Sequence, residues 1–233
     1  MQVAILAGGL ATRLGSLTKE QPKSLVRILD RPFLAYQLQN AVRSGVNDVV
    51  MCVGHLGDQI ENHFGDGHQY EVNIQYSYDG DKLLGTAGSL KKAETLLEDP
   101  FFVMYGDSYL ALDFKAIMAD FTAHNKQAMM VVYKNFDQYD RSNCVVENNC
   151  IKCYSKTETI EDMVYIDYGA SILRKSTLDF VPQDEVFSLQ QLFSVLVNDQ
   201  QMLAYETKER FYEIGSPMGL NEFHEYMTVK EGI

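Results

Sequence analysis

Apolar residues in this chain fall into short separated runs, and the runs alternate between two periods. Residues 3–7, 46–53, 101–105 and 129–133 are almost unbroken apolar stretches, as expected of strands buried on both faces of a parallel sheet. Between them Leu34, Leu38, Ala41 and Val42 recur at helical spacing and predict a helix over 33–44, stopped by Gly45. Ile60 and Phe64 give the inward face of a second helix, which Gly65-Asp66-Gly67 ends. An alternating strand over 72–76, a helix opened by residues 84–90 and running to about residue 97, and a helix over 113–125 continue the series. Strand and helix alternating in this way predict an α/β fold: a Rossmann-like, doubly wound, mostly parallel sheet with helices on both faces and right-handed crossovers.

After Phe136 the period changes. Residues 144–146 and 151–154, joined by Asn148-Asn149, read as a small antiparallel hairpin inserted in the fold, so the complete sheet is expected to be mixed. A strand over 165–173 is interrupted by Gly169, a sign of close backbone approach. A helix over 188–198, a strand over 202–205 and a last helix over 218–229 complete a single domain spanning residues 1–233.

Composition narrows the partners. With 46% hydrophobic and 22% charged residues the chain is of ordinary globular type. Its net charge of −12, from 20 Lys and Arg against 32 Asp and Glu, argues against nucleic acid and anionic membranes as partners. No apolar stretch approaches a membrane span, and the first strand begins too early for a leader, so a cytoplasmic monomer or homodimer is expected. Cys150 and Cys153 have C-x-x-C spacing without the second pair a zinc site needs. On a regular strand their thiols would face opposite ways. The five histidines show no ligand spacing.

Candidate chemistry begins where the first strand ends. Gly8-Gly9 turns the chain sharply and bares its amides, a cradle for an anion. Arg13 within the loop and Lys23 behind Pro22 add a fork and a point charge, a set suited to a triphosphate. Neither the Walker spacing nor the dinucleotide fingerprint is present. Gly106-Asp107 falls at the carboxyl end of the strand over 101–105, where open sheets bind ligands and where a carboxylate can hold Mg2+ against phosphates. Gly85-Thr86-Ala87-Gly88 either lets a ligand approach the backbone or simply starts a helix with Thr86 as its cap.

The run Leu6-Ala7-Gly8-Gly9-Leu10-Ala11-Thr12-Arg13-Leu14 followed by Pro22-Lys23 resembles the signature of sugar-1-phosphate nucleotidylyltransferases. The chain as a whole is most similar to the short heptose 1-phosphate guanylyltransferase-like and N-acetylmuramate 1-phosphate uridylyltransferase-like branches. The resemblance implies a GT-A-like nucleotidyltransferase fold, with NTP bound by residues 1–135 and sugar 1-phosphate by residues 136–233. It implies catalytic roles for Arg13, Lys23 and Asp107, and substrate contacts at Leu6, Ala7, Gly8, Gly9 and Thr12. Gly85, Thr86 and Gly88 would line the base pocket; Lys156 and Gly169 would hold the sugar phosphate. Mg2+ would sit on Asp107 and Glu213. Two positions depart from the family pattern: Ser155 stands where a Glu precedes the lysine, and Glu213 where the second metal ligand is usually Asp. Asp167, Tyr168 and Glu158 are candidates to replace the missing Glu. A non-catalytic sensor of nucleotide or sugar phosphate is the alternative reading.

Overall fold

The computed structural model describes residues 1–9, 20–158 and 160–233. Its centre is a nine-stranded sheet. The first half contributes β1 (Gln2–Leu6), β4 (Asp48–Val53), β5 (Asn73–Tyr78), β6 (Phe101–Tyr105) and β8 (Ala128–Lys134). The second half adds β9 (Cys144–Glu147), β10 (Cys150–Tyr154), β11 (Tyr165–Leu173) and β12 (Met202–Thr207). Two short ladders lie apart, β2 (Arg27–Ile28) with β3 (Arg31–Pro32), and β7 (Ser108–Tyr109) with β13 (Tyr212–Glu213). The sheet order is β5-β4-β1-β6-β11-β8-β12-β10-β9.

β1 is parallel to both β4 and β6, and β4 to β5. The chain thus winds outward from β1 and then returns to its other side as β6. That reversal opens a crevice at the carboxyl ends of β1 and β6, the place where such sheets take ligands. β11 is antiparallel to both β6 and β8, while β12 is parallel to β8, so the sheet is mixed as expected. The β9–β10 hairpin turns through Asn148 and Asn149, both with positive φ (51° and 57°), the conformation a tight two-residue hairpin demands.

Alternation along the strands divides the core. Val3, Ile5, Phe102 and Met104 face one layer, packed with α1 (Phe33–Arg43), α2 (Gly57–Phe64) and α4 (Phe114–Thr122). Ala4, Phe101 and Val103 face the other, packed with α3 (Gly85–Lys92) and α5 (Leu189–Asn198). The last helix, α6 (Pro217–Glu231), lies outside both layers and inserts Phe223 beside Phe33, ring centroids 5.1 Å apart. Ser216 caps it by accepting from the Gly219 amide, with Pro217 at the first helical position.

Two local expectations change. The helix from Gly85 stops at Lys92 and gives way to a 3₁₀ turn over Glu94–Leu96. In β10 a bulge between Ile151 and Cys153 resets the alternation, so Ile151 and Tyr154, three residues apart, enter the same core layer. The regular-strand premise used to separate the two C-x-x-C thiols therefore does not hold; all four cysteines are free.

Candidate active site

Three loops meet at the crevice. The loop after β1 is fastened by Ala7, whose amide donates to the Cys52 carbonyl at 2.9 Å. The loop after β6 is fastened by Gly106, whose amide donates to the Leu6 carbonyl at 2.9 Å. A Cβ on Gly106 would lie 2.8 Å from that same oxygen, so only glycine lets β6 end against β1. Leu6, Ala7, Gly8 and Gly9 line a cavity of about 230 Å³ together with Lys23, Gly85, Thr86 and Asp107. Thr12 and Arg13 lie outside the described residues.

Asp107 is reached from two directions. Lys23, first residue of a 3₁₀ turn behind the extended Pro22, donates from Nζ to Asp107 Oδ2 at 2.9 Å. The turn that carries Asp107 is held from below by Gln37, a buried residue of α1. Its Nε2 donates to the Tyr105 carbonyl at 2.9 Å and to the Ser108 carbonyl at 2.5 Å, bracketing Gly106-Asp107. Sequence reasoning missed Gln37; its only signal was a polar residue on the inward face of an apolar helix.

The stretch at α3 divides its duties. Gly85 lines the cavity and adopts φ +74°, with space for a Cβ closed by the Phe187 carbonyl at 2.8 Å. Thr86 also lines it, but its hydroxyl accepts from the Leu189 amide at 2.7 Å. Thr86 therefore serves the start of α5, and α3 has no side-chain cap of its own. Gly88 is placed elsewhere: a Cβ there would meet the Glu185 carbonyl at 2.7 Å, and the residue is absent from the cavity wall. Close packing of α3 on the 185–187 segment is what requires that glycine. Two further wall residues, Asp79 and Tyr105, carried no motif and were not anticipated.

A second cavity, about 410 Å³, adjoins the first and shares Tyr105 and Asp107 with it. Lys156 and Gly169 both line it, as expected, with Asp167 and Glu213. Lys156 Nζ lies 3.9 Å from Asp167 Oδ2 and 3.4 Å from the Tyr105 hydroxyl. The Asp167 side chain is only 3% exposed and accepts from the Tyr154 hydroxyl at 3.1 Å and the Gly169 amide at 2.9 Å. Of the candidates to replace the missing Glu, then, Asp167 is the carboxylate beside Lys156. Ser155 caps its own turn by accepting from the Glu158 amide at 2.9 Å. Tyr168 is buried against Phe211. Burial, with the charges of Asp167 and Asp107, pushes the Tyr105 phenol well above its usual range. It stays a neutral phenol at the seam of the two cavities, its hydroxyl accepting from Lys156.

Glu213 reaches the site through the β7–β13 ladder, in which it pairs with Ser108, while the Ile214 amide donates to the Asp107 carbonyl at 2.9 Å. Its carboxylate turns toward the start of α6, accepting from the Gly215 amide and, at 2.7 Å, from the Ser216 hydroxyl. Among the described residues no group of three or more candidate ligands forms a metal cluster. Two carboxylates lining one cavity nevertheless suit Mg2+, a hard cation that takes one or two protein carboxylates and completes its shell with phosphates and water.

The crevice thus lies at the switch point of a mixed α/β sheet, where open sheets take ligands, with glycine loops in its wall and a lysine–aspartate pair at its corner. Residues 2–161 match the model of the nucleotidyl transferase family, and the chain belongs to that family. It is 29% identical over 224 residues to the mannose-1-phosphate guanylyltransferase catalytic subunit beta of Xenopus tropicalis, covering 93% of this chain and 62% of that protein. It is 28% identical over 215 residues to a UTP–glucose-1-phosphate uridylyltransferase of Synechocystis, covering 85% of this chain and 55% of that one. The chain thus spans about three-fifths of the length of these relatives. Among solved structures it is similar to HddC from Yersinia pseudotuberculosis, at 25% identity and a TM-score of 0.81, covering 97% of this chain and 99% of that one. HddC has also been solved complexed with GMP-PN. The fold is shared with a putative glucose-1-phosphate thymidylyltransferase from Bacillus anthracis at a TM-score of 0.85 and 19% identity, covering 97% and 94% of the two chains.

Proposed function

We propose that this protein is a sugar-1-phosphate nucleotidylyltransferase, converting an NTP and a sugar 1-phosphate into an NDP-sugar and pyrophosphate. The favoured pair is GTP with a hexose or heptose 1-phosphate; the alternative is UTP with an amino-sugar 1-phosphate. One observation carries the reading: two adjoining cavities share a wall at Tyr105 and Asp107. Two substrates that must exchange a phosphoryl bond need two sites with one seam.

In this reading the first cavity holds the nucleotide and the second the sugar phosphate, so residues 1–135 and 136–233 divide the substrates. The glycosyl phosphate attacks the α-phosphorus in line. It needs no general base, because a phosphate monoester with a second pKa near 6 is largely dianionic at neutral pH. The protein's task is positioning and charge stabilisation. The loop amides, with Arg13 assigned there by its sequence position, hold the departing pyrophosphate. Lys23 exchanges Asp107 for the α-phosphate as the nucleotide enters. Lys156 neutralises the sugar phosphate, and Asp167 accepts from sugar hydroxyls. Asp107 and Glu213 would hold Mg2+, which when bound supplies positive charge to the phosphate oxygens. No described helix is long and apolar enough to cross a membrane.

Release of pyrophosphate from GTP, UTP, CTP and dTTP against a panel of hexose, heptose and amino-sugar 1-phosphates, with and without Mg2+, tests the proposal. Metal-dependent release with one pair is the expected result. The turn of the Glu213 carboxylate onto α6 favours a second reading, a sensor. Nucleotide binding with no release across the panel would select it.

A further inference from the structure

Arg210 lies behind the second cavity, and no step above uses it. A further cavity of about 270 Å³ opens there, and Glu213 lines both. The Arg210 guanidinium stands over the Tyr139 ring, 4.1 Å from its centroid, and over the Tyr212 ring at 4.6 Å. Its Nη2 donates to the Glu222 carboxylate of α6. Its Nε is buried with no hydrogen-bond partner among the described residues. Buried donors are seldom left so. The guanidinium is therefore seated for its rings rather than for its hydrogen bonds, a task for arginine's flat, delocalised cation that a lysine does not perform.

The two rings belong to different parts of the site. Tyr139 sits in the loop between β8 and β9, whose Asp140 and Arg141 line the second cavity. Tyr212 belongs to β13, which is two residues long and pairs with β7 alone. So short a ladder holds a strand's orientation weakly, and side-chain anchorage decides it. Tyr212 is anchored on Arg210 and on Tyr226 of α6, the two tyrosine rings stacked with centroids 4.2 Å apart. Successive side chains of a strand point to opposite faces, so this anchorage sends Glu213 the other way, and Glu213 lines the second cavity whereas Tyr212 does not. The first turn of α6 closes on the same residue: a Cβ on Gly219 would overlap both the Glu213 carbonyl and its Oε1. We propose that Arg210 is a positioning residue, whose clasp on Tyr139, Tyr212 and Glu222 holds the Glu213 carboxylate at the second cavity for a divalent cation. This rests on the reading of Glu213 as a metal ligand.

The sign of the effect separates this role from a purely electrostatic one. A nearby cation repels a metal ion, so removing an Arg210 that acted through charge alone would tighten metal binding. Loss of a positioning group loosens it. Mn2+ alone serves as the probe, titrated into the full chain with the free ion read by electron paramagnetic resonance and a thermal melt run beside it; no turnover enters. Glu213→Gln sets the scale and should weaken Mn2+ binding roughly 10-fold or more, and Arg210→Met should weaken it about 10-fold, the loss typical of groups that orient metal ligands. Arg210→Met in the Glu213→Gln background should cost nothing further, because the effect passes through that carboxylate. Arg210→Lys, which keeps the charge and the stem but not the plane, should bind as weakly as Arg210→Met and decides the matter if the methionine variant does not fold. Weakening by Glu213→Gln with unchanged or tighter binding in a folded Arg210 variant, full recovery by lysine, or additive losses in the double variant would overturn the clasp and leave Glu213 as a ligand. Native binding that Glu213→Gln does not weaken, or no Mn2+ binding at all, would overturn the metal role of Glu213 and the proposal with it.

Discussion

Replacing Asp107 by asparagine removes one charge and almost nothing else. Its side chain is 34% exposed and that of its partner Lys23 14% exposed. The pair is therefore partly screened, and its loss should cost about 1 kcal/mol of stability or less. For a chain of this size that is a melting shift of about 2–4 °C. Asparagine keeps an oxygen that can still accept from Lys23, which reduces the effect further. Turnover should respond on another scale. If Asp107 holds the cation that stabilises charge on the reacting phosphates, its neutralisation removes an electrostatic contribution of the kind worth about 10²–10³ in rate. At 1.36 kcal/mol per tenfold that is about 3–4 kcal/mol, well above the cost in stability. Steady-state pyrophosphate release with the active pair of substrates, beside a thermal melt of the same preparation, separates the two quantities. A variant that melts within a few degrees of the native protein and retains kcat/KM within tenfold would refute the assignment.

Lys156→Ala should raise KM for the sugar phosphate at least about tenfold while leaving nucleotide binding unchanged, since it removes a cation from the second cavity alone; initial-rate kinetics with each substrate varied will check this. Gln37→Leu leaves two carbonyls beneath the Asp107 turn without their donor, so a loss of about 1–3 kcal/mol is expected in urea unfolding, together with lowered kcat. Gly85→Ala places a side chain at φ +74° and 2.8 Å from the Phe187 carbonyl, and should weaken nucleotide binding measured by calorimetry. Alkaline stability should decline from about pH 9 upward. Cys52 is raised from an ordinary 9.0 to about 12, so the folded state binds a proton that the unfolded state has lost in that window; melts between pH 8 and 11 should show it, with Cys52→Ala showing a shallower fall.

Strand and helix periods were legible because the inner strands β1, β4 and β6 feed two core layers and are apolar nearly throughout, as Phe101 to Tyr105 is, while the edge strand β5 alternates. The site was legible where chemistry demands a special backbone: Gly8, Gly85 and Gly106-Asp107 are glycines or their neighbours at strand and helix ends. It was not legible where function depends on partners distant in sequence. Gln37 matters because of carbonyls 68 and 71 residues away, and Asp167 because β11 lies beside Lys156. Gly88 shows the opposite failure. It has the look of a ligand-facing glycine, but the 185–187 segment packs on it, and no local pattern announces a contact across about a hundred residues.

The acidity of the chain poses a problem that the site itself answers. On the proposed function, a protein of net charge −12 would have to admit a nucleotide and a sugar phosphate, both polyanions, into cavities whose walls include Asp79, Asp107, Asp167 and Glu213. Each of these four carboxylates already accepts from a donor: Asp79 from Leu84 and Ser89, Asp107 from Lys23, Asp167 from Tyr154 and Gly169, Glu213 from Gly215 and Ser216. Three of the four are satisfied by backbone amides and hydroxyls, which remain in place when substrate arrives. Asp107 instead has a lysine ammonium as its close partner, Lys23 at 2.9 Å, with the Ser108 hydroxyl farther off at 3.4 Å, and it stands at the seam of the two cavities. In the proposed reaction an entering phosphate would draw Lys23 from Asp107, leaving a carboxylate that, with Glu213, would hold Mg2+. That exchange would put Lys23 beside the substrate phosphates at the seam the two cavities share.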